Sequence, residues 1–384
     1  WNAVPRVSVS FYFFAITLGF LMPLDLSVSV WGFFFLNLAQ RIGCAAVGLD
    51  YFEQFNPADQ AFGAFMAIGV FALWGARGHL LRAVRCAAGL AERNYDSGEA
   101  MGYRTTFLFL GGALAFMFGF MVAAGMSPLI AVLSLAILMA LGIIITRIRA
   151  ELGFPVHDLH GMGPHDVLTR LIGPEKIPGP ALGALSLFYW QDRVFRSHPM
   201  PHQLEALRLA GDAGKARRDM MRAVLAAGLL AVPVTFVVYL AGFYELGAAT
   251  ARVKEWGTGY GWETFPRLEG WLTAPAAAPH GKLSMVAAGA IIAAALSVAR
   301  SRILGFPLHP LGFAVAASWG VWHLWLPIFI GSICKAAVLR TGGLKLYRSA
   351  TMFFFGLMLG EFVVGCGWTL FGIAFGVRTY DFWP

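Results

Sequence analysis

This sequence is poor in charge. Of its 384 residues only 13% are Asp, Glu, Lys or Arg, against 58% that are hydrophobic, where soluble domains carry roughly 25% charged residues. So little polar surface cannot cover a soluble core of that size. Disordered chains, nucleic-acid modules and ordinary soluble enzymes are excluded. Catalytic motifs are missing too: there is no Walker loop, no G-x-S-x-G elbow and no H-E-x-x-H. ATP-driven pumping has nothing to stand on, and the chain is read as not an enzyme. Four cysteines (Cys44, Cys86, Cys334, Cys366) form no C-x-x-C pair, so they read as structural buried thiols rather than zinc or haem ligands. Ten-residue alternating segments, the mark of a β-barrel, are absent as well.

What the chain does have is long apolar runs: 7–24, 28–49, 61–86, 105–125, 127–147, 222–247, 283–300, 306–335 and 349–376. At about 20 residues per crossing, these predict an all-α polytopic membrane protein of about eight to ten transmembrane helices. The first run is short and ends at Pro23. The run 306–335 is too long for one straight crossing and carries Pro310, Gly320 and Pro327, which suggests a hairpin of two half-crossings. A further segment, 178–196, is apolar only until Asp192, Arg193 and Arg196, and reads as re-entrant or interfacial. The chain begins at Trp1 rather than Met, and a piece of something longer is expected.

The net charge of +8 comes from Lys and Arg in short loops, which is the pattern of cytoplasmic loops. It places the ends of runs three, five and seven inside, together with Lys215–Arg222 and Lys335–Arg348. These assignments agree only if 178–196 and 306–335 each enter and leave on the inner side. The loop 248–282 is then external. With Trp256, Trp262, Trp271, Glu255, Glu263 and Glu269 it reads as an amphipathic helix at the interface. The domain organisation is one transmembrane domain over 1–384. A first half, 1–196, ends in a broken element; 197–221 is a cytoplasmic linker; 222–384 is the second half.

Two segments repeat. RIRAELGFPVHDLHG (147–161) and RSRILGFPLHPLG (300–312) share Arg-x-Arg, Leu-Gly-Phe-Pro, His and Leu. Glycine can end a helix and proline cannot continue one, so each copy ends a membrane helix and sends the chain into a broken element. Paired interruptions of this kind point to a transport site.

The densest polar constellation is HDLHGMGPHD, with His157, Asp158, His160, His165 and Asp166. Three imidazoles and two carboxylates suit a divalent metal, as the centre of a metal-dependent membrane enzyme or otherwise. The same residues suit a polar loop that caps helices and meets phosphate headgroups. No nucleotide and no haem is expected. Ionisable groups inside apolar runs are functional candidates. Glu361, beside Gly360 in a glycine-rich last run, could carry a proton or act as packing glue. His309 in the second repeat and His323 among tryptophans are further pathway or core residues.

The order GFPLHPLGFAVAASWG, IGSICKAAVLRTGG, GLMLGEFVVG resembles the end of the oligopeptide transporter superfamily. It is closer still to an uncharacterised bacterial membrane family distantly related to it. The resemblance covers most of 140–376. It implies a secondary-active, proton-coupled transporter of small peptides or metal chelates in the bacterial inner membrane. Glu361, Gly360, His309 and His323 would lie near its pathway. Expected partners are membrane lipid, a small-molecule substrate, and a second copy or other membrane subunits, with no nucleic acid. The competing reading is a non-transporting structural subunit of a larger membrane complex.

Overall fold

The computed structural model describes the chain apart from residues 1, 2, 5, 52–54, 91–95, 154–158, 212, 213, 251, 252, 254, 276–280 and 380–384. The described residues are mainly helical, with no strand among them. In chain order they form α1 (Phe13–Leu21), α2 (Leu24–Ala46), α3 (Pro57–Ala87), α4 (Tyr103–Ala123), α5 (Pro128–Leu152), α6 (Pro164–Ile172) and α7 (Gly179–Asp192). Then follow α8 (Pro199–Leu209), α9 (Gly214–Leu246), α10 (Glu255–Thr273), α11 (Leu283–Arg302), α12 (Pro310–Val315) and α13 (Trp319–Phe375).

Among the described residues, six stretches are long and apolar enough to cross a membrane: Pro57–Ala87, Tyr103–Ala123, Pro128–Ala150, Lys215–Leu246, Leu283–Arg302 and Trp319–Phe375. Half of the α5 window is buried inside the chain, but in the other five at most 17% is, and none of the α9 window is. Bare apolar helices of this length belong in lipid. The chain is a membrane-embedded helical protein.

Two apolar runs fold differently from expectation. Run 7–24 gives only the nine-residue α1, because Pro23 follows it closely and residues 6–12 are not helical. Run 306–335 is not a pair of half-crossings. The six-residue α12 stops at Ala316, and α13 then runs from Trp319 straight through Pro327. The break comes at Gly343, whose φ of 58° and ψ of −154° are open to glycine alone. It divides α13 into arms 319–342 and 344–375.

Two compact units interleave in sequence. One is Trp1–Ile68, Glu151–Asp158 and Ser284–Pro384; the other is Gly69–Ala150 and Leu159–Leu283. The segment 197–221 forms α8 and the first turns of α9 in the second unit. In the first unit both arms of α13 hold α1. Phe20 stacks on Phe354 at 4.0 Å and Tyr347 at 5.2 Å, and Gly331 lets the α1 backbone approach the first arm. Helices α3 and α11 cross so closely that a Cβ at Gly63 or Gly289 would strike the facing backbone.

In the second unit Pro180, at the start of α7, packs on Gly125 just before α5. His198 lies on Gly142, and Glu205 Oε1 is 2.6 Å from Arg149 Nε. Residues 180–205 therefore run beside α5 in the same direction. Just beyond α5 and α11, the glycines of the repeated motif both take left-handed angles, 58° at Gly153 and 78° at Gly305.

Candidate functional site

The second unit buries an ionic network where α6, α7 and α10 meet. It starts from a helix end. Pro164 opens α6 and has no N–H; the next amide, on His165, has no partner inside the helix. Asp192, the last residue of α7, supplies one: its Oδ2 accepts that N–H at 2.8 Å. Gly163 makes this approach feasible, since a Cβ there would collide with Asp192. The two short helices are thus joined end to end through one carboxyl.

Around that joint the charges pair. Arg267 of α10 donates to Asp166 Oδ1 at 2.9 Å and to Glu263 Oε1 at 3.3 Å. Glu263 also accepts Tyr189 OH at 2.5 Å and Arg193 Nε at 2.6 Å. The Arg267 guanidinium lies 4.5 Å over the Tyr189 ring. His165 is fully buried between Tyr189 and Trp271, ring centres 4.5 and 4.9 Å away. Its Nδ1 stands 3.6 Å from Asp166 Oδ1, beyond hydrogen-bond length. Neither ring nitrogen has a hydrogen-bond partner among the described residues.

These surroundings set the acids apart. Asp166 pairs with Arg267, and Glu263 pairs with Arg193 and Arg267. The Asp192 carboxyl answers the His165 amide instead. Two carboxylates are therefore committed to arginines, and one buried carboxyl is left without an ion-pair partner among the described residues.

That odd carboxyl opens on a small cleft. Met121, Met126, Ser134, Leu138, Pro164, Leu185, Phe188, Gln191 and Asp192 line it, with room for about one water molecule. Asp192 Oδ1 and Ser134 Oγ are buried and have no hydrogen-bond partner among the described residues.

A family model described as "Family of unknown function (DUF6785)" matches residues 1–384. The chain belongs to this family. No curated protein and no solved structure matches the chain.

Within this DUF6785 chain the sequence-read residues separate. His165 and Asp166 enter the network; His160 lies in the loop before α6. His157 and Asp158 lie outside the described residues. Among the described residues no three His, Cys, Asp or Glu side chains gather as a metal would need. His309 caps α12: its Nδ1 accepts Leu311 N–H at 3.1 Å, and its own N–H goes to Ser29 Oγ at 2.7 Å. His323 packs on Trp319 one turn earlier, ring centres 4.1 Å apart, with Nδ1 3.0 Å from the Trp319 carbonyl. Gly360 has no atom within 4 Å of where a Cβ would stand, so it mediates no close helix approach. Glu361 binds the first turn of α1, Oε2 to Phe14 N at 2.5 Å.

Sequence reading missed Asp192, Glu263 and Arg267 as a group. Two signals were there: Asp192 and Arg193 interrupt an apolar segment, and Glu263 and Arg267 stand four apart on one helical face.

Proposed function

We propose that this protein is a secondary-active transporter of small solutes, coupled to protons and embedded in a bacterial cytoplasmic membrane. The observation that carries this reading is the buried network on α6, α7 and α10. Helices α6 and α7 have 9 and 14 residues, so at 1.5 Å per residue neither reaches across about 30 Å of hydrocarbon. They form a re-entrant pair beside α5. Ser134 is six residues into α5, some 9 Å from its start, so the Asp192 end of the pair lies within membrane depth. Ionisable residues at that depth are costly and usually line pathways. Broken helices whose ends meet there are the usual frame of a transport site.

The repeated Leu-Gly-Phe-Pro motif supports an internal repeat around that frame. Small peptides or metal chelates are the cargo that the likeness to oligopeptide transporters implies. Counterflow tests the reading: the full chain in proteoliposomes preloaded with unlabelled dipeptide or chelate should accumulate the labelled form transiently. No accumulation with any such cargo, together with purification as a stoichiometric part of a larger complex, favours the scaffold subunit instead.

A further inference from the structure

We propose that the cleft between Ser134 and Asp192 is a binding site for a primary ammonium group. As a transport subsite the proposal rests on the transporter reading; as a binding site it stands on the cleft itself. Two polar atoms point the way. Asp192 is 3% exposed and Ser134 is 1% exposed, yet Asp192 Oδ1 and Ser134 Oγ have no hydrogen-bond partner among the described residues. Buried polar atoms left unmatched are expensive, so an occupant that donates hydrogen bonds to both is expected.

The lining selects its sign and size. No Lys or Arg lines the cleft. The polar lining atoms belong to Ser134, Gln191 and Asp192; the rest is apolar or thioether, from Met121, Met126, Leu138, Pro164, Leu185 and Phe188. That wall repels anions. It also offers too few oxygens for a hard divalent cation, which takes six or more. An –NH₃⁺ head has three donors and one charge, and it is about the size of the single water that the cleft admits. A quaternary ammonium has no donors and does not fit.

The rest of the network explains why Asp192 is free for this task. His165 from α6 gives it only a backbone N–H. Asp166 and Arg170 on α6, Tyr189 on its own helix, Arg193 just after it, and Tyr260, Glu263 and Arg267 on α10 are engaged with one another or with backbone groups. With the cleft empty, a carboxyl buried without an ion-pair partner keeps its proton; an arriving ammonium displaces that proton to solvent and pairs with the carboxylate. One cation replaces another, and charge balances without further partners.

The test is binding to the purified full chain, read by calorimetry, with four probes: methylammonium, tetramethylammonium, glycylglycine and N-acetyl-glycylglycine. Methylammonium is expected to bind and tetramethylammonium not. Glycylglycine binding more tightly than its acetylated form makes a peptide N-terminus the natural source; methylammonium alone makes it a free amine. Asp192→Asn keeps an oxygen for the His165 amide and should weaken binding at least tenfold. Ser134→Ala touches no helix cap and should weaken it several-fold, which guards against a folding defect in the first variant. Equal binding by both variants, equal binding of the acetylated dipeptide, or no methylammonium binding at all overturns the site. Binding that behaves as expected, with no counterflow of any cargo, overturns transport and leaves the site standing.

Discussion

Glu361 Oε2 accepts the backbone N–H of Phe14 at 2.5 Å, so a carboxyl in the middle of an apolar run closes the N-terminus of a nine-residue helix. The other end of α1 is held by Lys335, whose Nζ donates to Met22 O at 2.5 Å and Leu21 O at 3.3 Å. The acid sits at the positive end of the helix dipole and the ammonium at the negative end. Both come from α13, one from each side of the Gly343 bend. A helix too short to cross a membrane is thereby clamped at both ends by groups of the charge that suits its orphaned amides and carbonyls.

This clamp predicts a graded series. Glu361→Gln keeps an acceptor and should cost under about 1 kcal/mol, whereas Glu361→Ala loses the cap and should cost about 1–2 kcal/mol. Lys335→Met should cost more than Glu361→Gln, because it leaves the last carbonyls of α1 unpaired. Thermal unfolding in detergent orders the variants. If Glu361→Gln is the most damaging of the three, the carboxyl is doing something other than capping.

The glycines give a second prediction. At Gly289 a side chain would meet the backbone of Gln60, while at Gly360 nothing lies within 4 Å. Gly289→Val should destabilise by about 1–3 kcal/mol or prevent assembly. Gly360→Ala should be neutral or slightly stabilising, as expected in an open helix interior. Monodispersity on size exclusion and melting temperature separate the two outcomes.

Arg267 joins Asp166 and Glu263, and its removal leaves both carboxylates short of a partner. Its side chain is a third exposed, which softens the penalty, so Arg267→Gln should cost roughly 1–3 kcal/mol. Removing Glu263 as well should recover part of that loss, because the orphaned charge goes with it. A double-mutant cycle with no coupling between the two positions contradicts the network.

The long helices were legible because apolar runs must be helical in lipid, and the ends of α5 and α11 were legible in Leu-Gly-Phe-Pro. Ranges such as 61–86 and 105–125 match α3 and α4 within a few residues. Hydropathy could not show that 7–24 holds only α1, since residues 7–12 continue the same apolar run but follow α13 without forming helix. There Trp325 Nε1 donates to Ser8 O at 2.8 Å. Nor could it show the network. Asp166, Asp192, Glu263 and Arg267 lie on three helices up to 101 residues apart, and spacing along the chain carries no trace of that meeting. His165 was picked for metal chemistry, yet its ring meets two aromatic faces, a setting that only the packing of Tyr189 and Trp271 creates.

The most direct test of the central claim is proton movement. Proteoliposomes holding the full chain and a trapped pH indicator are given glycylglycine, then N-acetyl-glycylglycine, at a fixed starting pH. The expected result is a dipeptide-dependent pH change inside the vesicles, absent with the acetylated peptide and absent in Asp192→Asn. Vesicles that hold an imposed pH gradient yet show no change with dipeptides, amines or metal chelates contradict it.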